Sequence, residues 1–287
     1  MKIAVAGAKG GVGKTLVATA LAQYLGRSNH RVVYCDADVE GPNGKLFLHP
    51  DIERVHPGSV TVPMLNAAKC SGCGTCQSIC AFNAILAVGK KVMVFSELCH
   101  SCEACFIACA DGMLTRHNRH VGNISMGMAG NIRFFEGALN VGEARVAPLV
   151  SQVVHAAVRQ AADYIIIDNP PGTSCAAVAG QEDADVVVLV TEPTPFGLHD
   201  LKLALALGRR LNKSMLVVLN RADLGDDKDM MAYLASEAVD QVARIPFDRQ
   251  IAVMTADGKS PLGYVPAFDE QMHHVAAAIH RLQEAIA

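Results

Sequence analysis

Eight of the ten cysteines fall between Cys70 and Cys109, in two runs of one spacing. The first is Cys70-x-x-Cys73-x-x-Cys76-x-x-x-Cys80, and the second is Cys99-x-x-Cys102-x-x-Cys105-x-x-x-Cys109. Thiolates are soft ligands. Cysteines this clustered, in a chain whose start reads as a strand and not as an export signal, point to metal and not to a disulfide framework. A third cysteine at this spacing favours iron–sulfur chemistry. A pair of zinc sites is the alternative, although zinc is better matched by paired Cys-x-x-Cys units. Four cysteines satisfy each site, so His100 reads as a surface residue. Cys35 and Cys175 stand apart and read as small buried hydrophobes.

A second set of residues is suited to phosphate. Ala8-Lys9-Gly10-Gly11-Val12-Gly13-Lys14-Thr15 follows an apolar run and opens a stretch of helical spacing. In that context Gly10, Gly11, Val12 and Gly13 turn backbone N–H groups onto phosphate oxygens at a helix N-terminus. Lys14 is expected to reach the β- and γ-phosphates, and Thr15 to place its hydroxyl on Mg²⁺. Ala8 stands where the usual loop has its first glycine. Asp168, at the end of an apolar run and followed by Asn169-Pro170-Pro171-Gly172, suits the same Mg²⁺.

The elements that must position these residues alternate. Residues 2–6, 31–34, 164–167, 185–190 and 215–219 are short apolar runs that predict strands. Residues 15–25, 147–162, 199–211 and 273–285 carry helical spacing. Continuous apolar strands between helices predict an α/β fold with a mostly parallel sheet covered on both faces. Residues 84–88 and 92–95 flank Gly89-Lys90, a hairpin signal between the cysteine runs. The last helix places Val275, Ala276, Ile279, Leu282 and Ile286 on one face, expected to pack on the sheet.

Composition narrows the classes. At 287 residues with 51% hydrophobic and 18% charged, the chain can bury a sizeable core and is not a disordered or fibrous protein. A net charge of −3 gives no bulk attraction to nucleic acid or to an anionic membrane. No apolar run approaches the ~20 residues that span a bilayer. A cytoplasmic protein is expected.

The run Lys9-Gly10-Gly11-Val12-Gly13-Lys14-Thr15 resembles the deviant Walker A motif of the MinD/ParA/nitrogenase-iron-protein class of P-loop ATPases. The resemblance implies that Lys9 acts across a nucleotide-sandwich dimer on the partner's phosphates. Asp36-Ala37-Asp38, with Val39-Glu40-Gly41-Pro42-Asn43, resembles switch I. That implies Asp38 positions the attacking water and Asp36 stands near the metal shell. Tyr164 to Gly172 resembles Walker B and switch II. Asn220-Arg221-Ala222-Asp223 lies where this class commonly reads the base; it is also similar to the guanine-reading Asn-Lys-x-Asp, and the resemblance favours ATP. Thr191 to Gly197 looks like a further segment near the nucleotide.

The two cysteine runs resemble the bacterial two-cluster ferredoxin. That resemblance implies one 4Fe–4S cluster on Cys70, Cys73, Cys76 and Cys109, and another on Cys99, Cys102, Cys105 and Cys80. The proline that usually follows each fourth cysteine is replaced by Ala81 and Ala110. As a whole the chain resembles the CobQ/CobB/MinD/ParA-type ATPases, with a small α+β ferredoxin-like domain at 60–116 inserted into an ATPase domain at 1–59 and 117–287.

Three functions follow from the resemblance. The first is ATP-driven electron transfer to a protein partner, with nucleotide-dependent dimerisation, as homodimer or with a related ATPase. The second is assembly or carriage of an iron–sulfur or metal cluster, against which stands the absence of any cysteine after Cys175. The third is spatial organisation of the MinD/ParA kind with structural clusters. No basic C-terminal amphipathic helix supports its membrane form, and Arg209, Arg210 and Lys213 are only a small basic group.

Overall fold

The computed structural model describes residues 1–66, 70–89, 91–109 and 112–286, with the backbone alone for Ile286. Lys90 of the expected hairpin turn and Ala110 after the second cysteine run lie outside the described residues.

The chain opens with β1 (Lys2–Ala6), α1 (Lys14–Arg27), β2 (Val32–Asp36), a single turn α2 (Lys45–Leu48) and β3 (Asp51–Leu65). The cysteine segment holds α3 (Thr75–Ser78), the pair β4 (Ile85–Val88) and β5 (Lys91–Val94), and α4 (Ala104–Ala108). It is followed by β6 (Leu114–Ala129) and β7 (Ile132–Leu139). Alternation then resumes with α5 (Val146–Val158), β8 (Tyr164–Asp168), α6 (Cys175–Gln181), β9 (Val186–Thr191), α7 (Pro195–Arg210) and β10 (Ser214–Asn220). The chain closes with α8 (Lys228–Ser236), β11 (Asp240–Ile245), α9 (Arg249–Ala256) and α10 (Pro266–Ile286).

Nine strands form one sheet in the order β11-β10-β9-β1-β8-β2-β7-β6-β3. The pairs from β11 to β7 are parallel. Side chains alternate between two buried faces, as the period of two requires. Ile3, Val5, Tyr34, Phe134 and Ile166 enter one core with α1 and α10. Ala4, Val33, Cys35, Phe135 and Ile167 enter the other with α5 and α7. Burial on both faces is why these strands read as unbroken apolar runs. In α10, Phe268, Met272, Val275, Ala276 and Ile279 belong to the first core, so that apolar face is already covered. No helix among the described residues is long and apolar enough to cross a membrane.

The chain divides into two compact units. The first is Met1–His56, Asn123–Leu139 and Val146–Ala287; the second is Pro57–Gly122 with Asn140–Arg145. The expected insert at 60–116 falls within the second unit, which also takes the later segment 140–145. In the second unit β4 and β5 form an antiparallel pair, Ile85 opposite Val94 and Val88 opposite Lys91. Its apolar clusters are small: Val60, Val62, Ala84, Cys99 and Val121 in one, and Ile85, Cys105 and Leu114 in the other.

Two sequence expectations need correction. Strands β3, β6, β7 and β11 were not anticipated. β6 carries Arg116, His117, Asn118, Arg119 and His120, and its outer half is mostly exposed, so it lacks the apolar signature of the central strands. Cys175 is exposed at the start of α6 and is not a core residue; Cys35 is fully buried.

Candidate functional site

The phosphate loop joins β1 to α1. Gly13 has φ +99°, a left-handed backbone that disfavours any other residue. A Cβ at Gly13 would also collide with the Asn220 amide. Asn220 is held locally: its Nδ2 donates to Val12 O at 2.8 Å and its Oδ1 accepts from Arg221 N at 3.0 Å. It braces the loop from the end of β10. Lys14 is buried and its Nζ donates to Lys9 O at 3.3 Å. Gly10, Gly11, Gly13, Lys14, Thr15, Asp38 and Asn220 line a cleft of about 450 Å³. Its far wall is Pro246, Phe247 and Asp248, after β11, a wall the sequence reading missed.

Three carboxylates stand side by side on adjacent strands. Asp36 on β2 is in register with Asp168 on β8 and with Glu136 on β7. Asp36 and Asp168 are fully buried. Asp36 Oδ1 accepts from Asp38 N at 3.2 Å, and Oδ2 accepts from Asn43 N at 3.0 Å and Gly44 N at 2.8 Å. Its carboxylate therefore shapes the loop that carries Asp38. Asp168 Oδ2 accepts from the Tyr34 hydroxyl at 3.1 Å. Asp168 Oδ1 is buried with no hydrogen-bond partner. A buried carboxylate oxygen left unsatisfied beside Thr15 and Lys14 fits a divalent cation. Burial pushes the Asp168 carboxyl up, against Thr15 and Lys14, which favour its charged form. Burial also raises Asp36, with Asp168 adding to the effect, and raises Asp38, where Lys14 opposes it. Glu136 was not singled out from the sequence: it lies inside β7, where no run ends to mark it. Lys45 Nζ meets it at 3.0 Å.

Lys9 is turned to Glu192 at 3.5 Å, and Glu192 also pairs with Arg221. Thus the segment 191–197 holds Lys9. It also caps α7, where Thr194 Oγ1 accepts from Gly197 N at 3.0 Å with Pro195 at the first turn.

The cysteines of the second unit interact in two groups that cross the runs. Cys76 is raised by burial and feels Cys109 and Cys70. Burial pushes the Cys105 thiol up to about 11, with Cys99, Cys102 and Cys80 adding to it. Cys99 is raised by burial and feels Cys102 and Cys80. The fourth cysteine of each run therefore stands with the first members of the other. Cys73 is exposed, with its Sγ 3.3 Å from Thr75 Oγ1. Cys80, Cys99, Cys102 and Cys105 line one cleft, together with Phe82 and His100, which stack at 3.8 Å. Ala84 N donates to Cys80 Sγ at 3.3 Å and Ser101 N to Cys99 Sγ at 3.5 Å. Ser101 Oγ, in the same wall, is buried without a partner. Among the described residues no three His, Cys, Asp or Glu side chains converge on a single metal ion. Four thiols, amides aimed at sulfur and an unsatisfied hydroxyl fit a sulfur-containing cluster in this cleft.

A parallel sheet with a glycine-rich loop and a carboxylate at the end of a neighbouring strand defines a P-loop nucleotide-binding domain. The chain belongs to the CobQ/CobB/MinD/ParA nucleotide binding domain family, whose model matches residues 3–262. It is 30% identical over 271 residues to an uncharacterised protein of Methanocaldococcus jannaschii, covering 92% of each chain. It is 24% identical to an iron-sulfur cluster carrier protein of Rickettsia typhi, covering 87% of this chain and 62% of that one. Its fold is shared with the septum site-determining protein MinD of Pyrococcus horikoshii, solved with Mg-ADP. That match has a TM-score of 0.62 and 19% identity, covering 100% of this chain and 98% of that one.

Proposed function

We propose that this chain is an ATPase that closes into a dimer on ATP and couples hydrolysis to one-electron transfer to a protein partner. The observation that supports this reading most is the crossed grouping of the cysteines, in a unit inserted between the Asp38 loop and Asp168 of a P-loop domain. Segments of that kind respond to the γ-phosphate.

The phosphates of ATP lie on the amides of residues 10–15, with Lys14 on the β- and γ-phosphates. Thr15 and Asp168 hold Mg²⁺, and Asp36 keeps the Asp38 loop in place instead of ligating. Asp38 orients a water for in-line attack on the γ-phosphorus. The new P–O bond forms as the β–γ bridging bond breaks, giving ADP and phosphate. Lys9 leaves Glu192 and places its charge on the phosphates of the facing subunit, a copy of this chain or a related ATPase. The adenine lies between Asn220 and the wall formed by Pro246 and Phe247.

Cys70, Cys73, Cys76 and Cys109 would hold one 4Fe–4S cluster, and Cys80, Cys99, Cys102 and Cys105 the other. Bound there, the clusters would supply one-electron redox chemistry. The chain itself supplies sulfur ligands, the amides of Ala84 and Ser101, and partial shielding from water.

A second reading is cluster carriage, favoured by the likeness to the Rickettsia typhi carrier protein. An anaerobic redox titration followed by electron paramagnetic resonance separates the two. It is run without nucleotide, with Mg-ADP and with a non-hydrolysable ATP analogue. Electron transfer predicts that the analogue changes a cluster's reduced-to-oxidised ratio at least about tenfold, some 59 mV for a one-electron couple. Unshifted potentials in protein shown to bind the analogue, together with release of iron to an apo-acceptor, would replace this reading with carriage.

A further inference from the structure

Arg145 lies beyond both cysteine runs in sequence, yet it belongs to the second unit through the segment Asn140–Arg145. Its side chain is only 9% exposed. Nη1 donates to two backbone carbonyls of the second run's approach, Ser96 O at 2.7 Å and Cys99 O at 2.6 Å. Nε donates to Glu143 Oε1 at 2.7 Å and Nη2 to Glu143 Oε2 at 3.2 Å, a forked pair. Glu143 is 5% exposed and also pairs with Arg119. Arg119 Nε is buried with no partner. Two guanidinium groups stand against one buried carboxylate, and among the described residues only the exposed Glu97 adds a further negative charge near Arg119, so the buried group of three carries a net positive charge. This group stands beside the turn that carries Cys99.

We propose that Arg119, Glu143 and Arg145 form a positioning unit that fixes the Cys99 turn and sets the potential of the cluster held by Cys80, Cys99, Cys102 and Cys105. The proposal rests on the two-cluster reading above. A cluster ligated by four thiolates is anionic, and reduction adds a further negative charge. A fixed, poorly solvated positive charge therefore favours the reduced form. The two clusters would then differ in potential because one has this unit beside it.

The test uses the full chain, reconstituted anaerobically with iron and sulfide. Iron and sulfide per chain are counted first in the wild type. A wild-type chain that takes up no clusters overturns the two-cluster reading, and this is known before any variant is compared. Redox titrations without nucleotide then compare Arg145→Gln, Arg145→Lys and Glu143→Gln. Arg145→Gln is expected to lower the reduced-to-oxidised ratio of one cluster about tenfold, a downward shift of about 59 mV, and to leave the other in place. Arg145→Lys, which keeps the charge, returns most of that shift. Glu143→Gln removes the neutralising carboxylate and shifts the same cluster upward. Loss of one cluster's signal in Arg145→Gln, with the other intact, supports the positioning role equally.

The proposal is overturned if Arg145→Gln leaves both potentials in place or moves both alike, or if Glu143→Gln shifts in the same direction as Arg145→Gln. Amide hydrogen-exchange protection of β4 and β5, compared with the wild type, checks that the second unit of each variant is folded. If Arg145→Gln does not fold, the sign of the Glu143→Gln shift decides alone.

Discussion

Asp36, Glu136 and Asp168 stand side by side on three adjacent strands, two of them wholly buried and the third mostly so. The cysteines of the second unit stand instead on loops and on two helices of one turn or little more, α3 and α4. The first unit fills two cores with residues from the central strands and the helices around them. The second unit offers two clusters of a few residues each, and cysteines are among them. The contrast is one of what sets the geometry. Around the nucleotide pocket, burial on both faces of a sheet fixes the backbone, and the backbone fixes the carboxylates. Around the cysteines the apolar clusters are small, and they offset less of the cost of ordering the chain. Ligand bonds to a cluster would supply the missing free energy, because binding energy at such sites is folding energy.

The largest effect is expected at Lys9. If the two regions are ordered independently, Lys9→Ala should lower ATP hydrolysis about 1000-fold, the effect of removing a trans-acting cation from phosphoryl transfer. It should also abolish nucleotide-dependent dimerisation and leave iron per chain unchanged. Phosphate release, sedimentation with the ATP analogue and iron analysis give the three readings. A variant that still dimerises on ATP would remove the trans role from Lys9.

Stripping iron with an anaerobic chelator is the next largest perturbation. Amide hydrogen exchange should then accelerate throughout β4, β5, α3 and α4, while β1, β2 and β8 keep their protection and the chain still binds nucleotide. Uniform protection before and after chelation would show that the second unit holds itself together without metal.

The smallest effect is expected at the surface of the first unit. Hydrogen bonds from the Arg31 side chain and then its backbone N–H draw the Asp163 carboxyl down to about 2. A carboxyl depressed on folding contributes stability that is present above its ordinary value of 3.8 and lost as pH falls through about 2. Both partners are open to water, so the contribution is small. Asp163→Asn should lower the melting temperature slightly at pH 7, and the difference from wild type should fade between pH 4 and about 2. A large difference at pH 7 would mean that surface charge, and not the double core, carries the first unit.

The parts of the fold that were legible in sequence share one physical property: their residue types are dictated by burial or by a single backbone conformation. β1, β2, β8, β9 and β10 are apolar on both faces, and Gly13 needs its left-handed backbone. The outer strands β3 and β6 each include a stretch of mostly polar, exposed residues, Asp51–His56 and Thr115–His120, and that stretch reads as loop. Cys175 read as a core residue because free cysteines are so often buried, yet α6 presents it to water. Pro246 and Phe247 carry no motif; β11 delivers them to the pocket wall.

Sequence alone determined which chemistry this chain can host. Spacing within a short run fixes which thiols, amides and hydroxyls share one turn, and that is local geometry. Tertiary structure decided the partners that come from far along the chain. Only the alignment of β2, β7 and β8 sets Asp36, Glu136 and Asp168 side by side. Only the return of the chain after β7 brings Arg145 to the carbonyls of Ser96 and Cys99. Asn220 lines the cleft where a base was expected, and packing also gives it the phosphate loop to hold. Contacts of this kind depend on strand order and on chain reversals, which no local pattern of residues encodes.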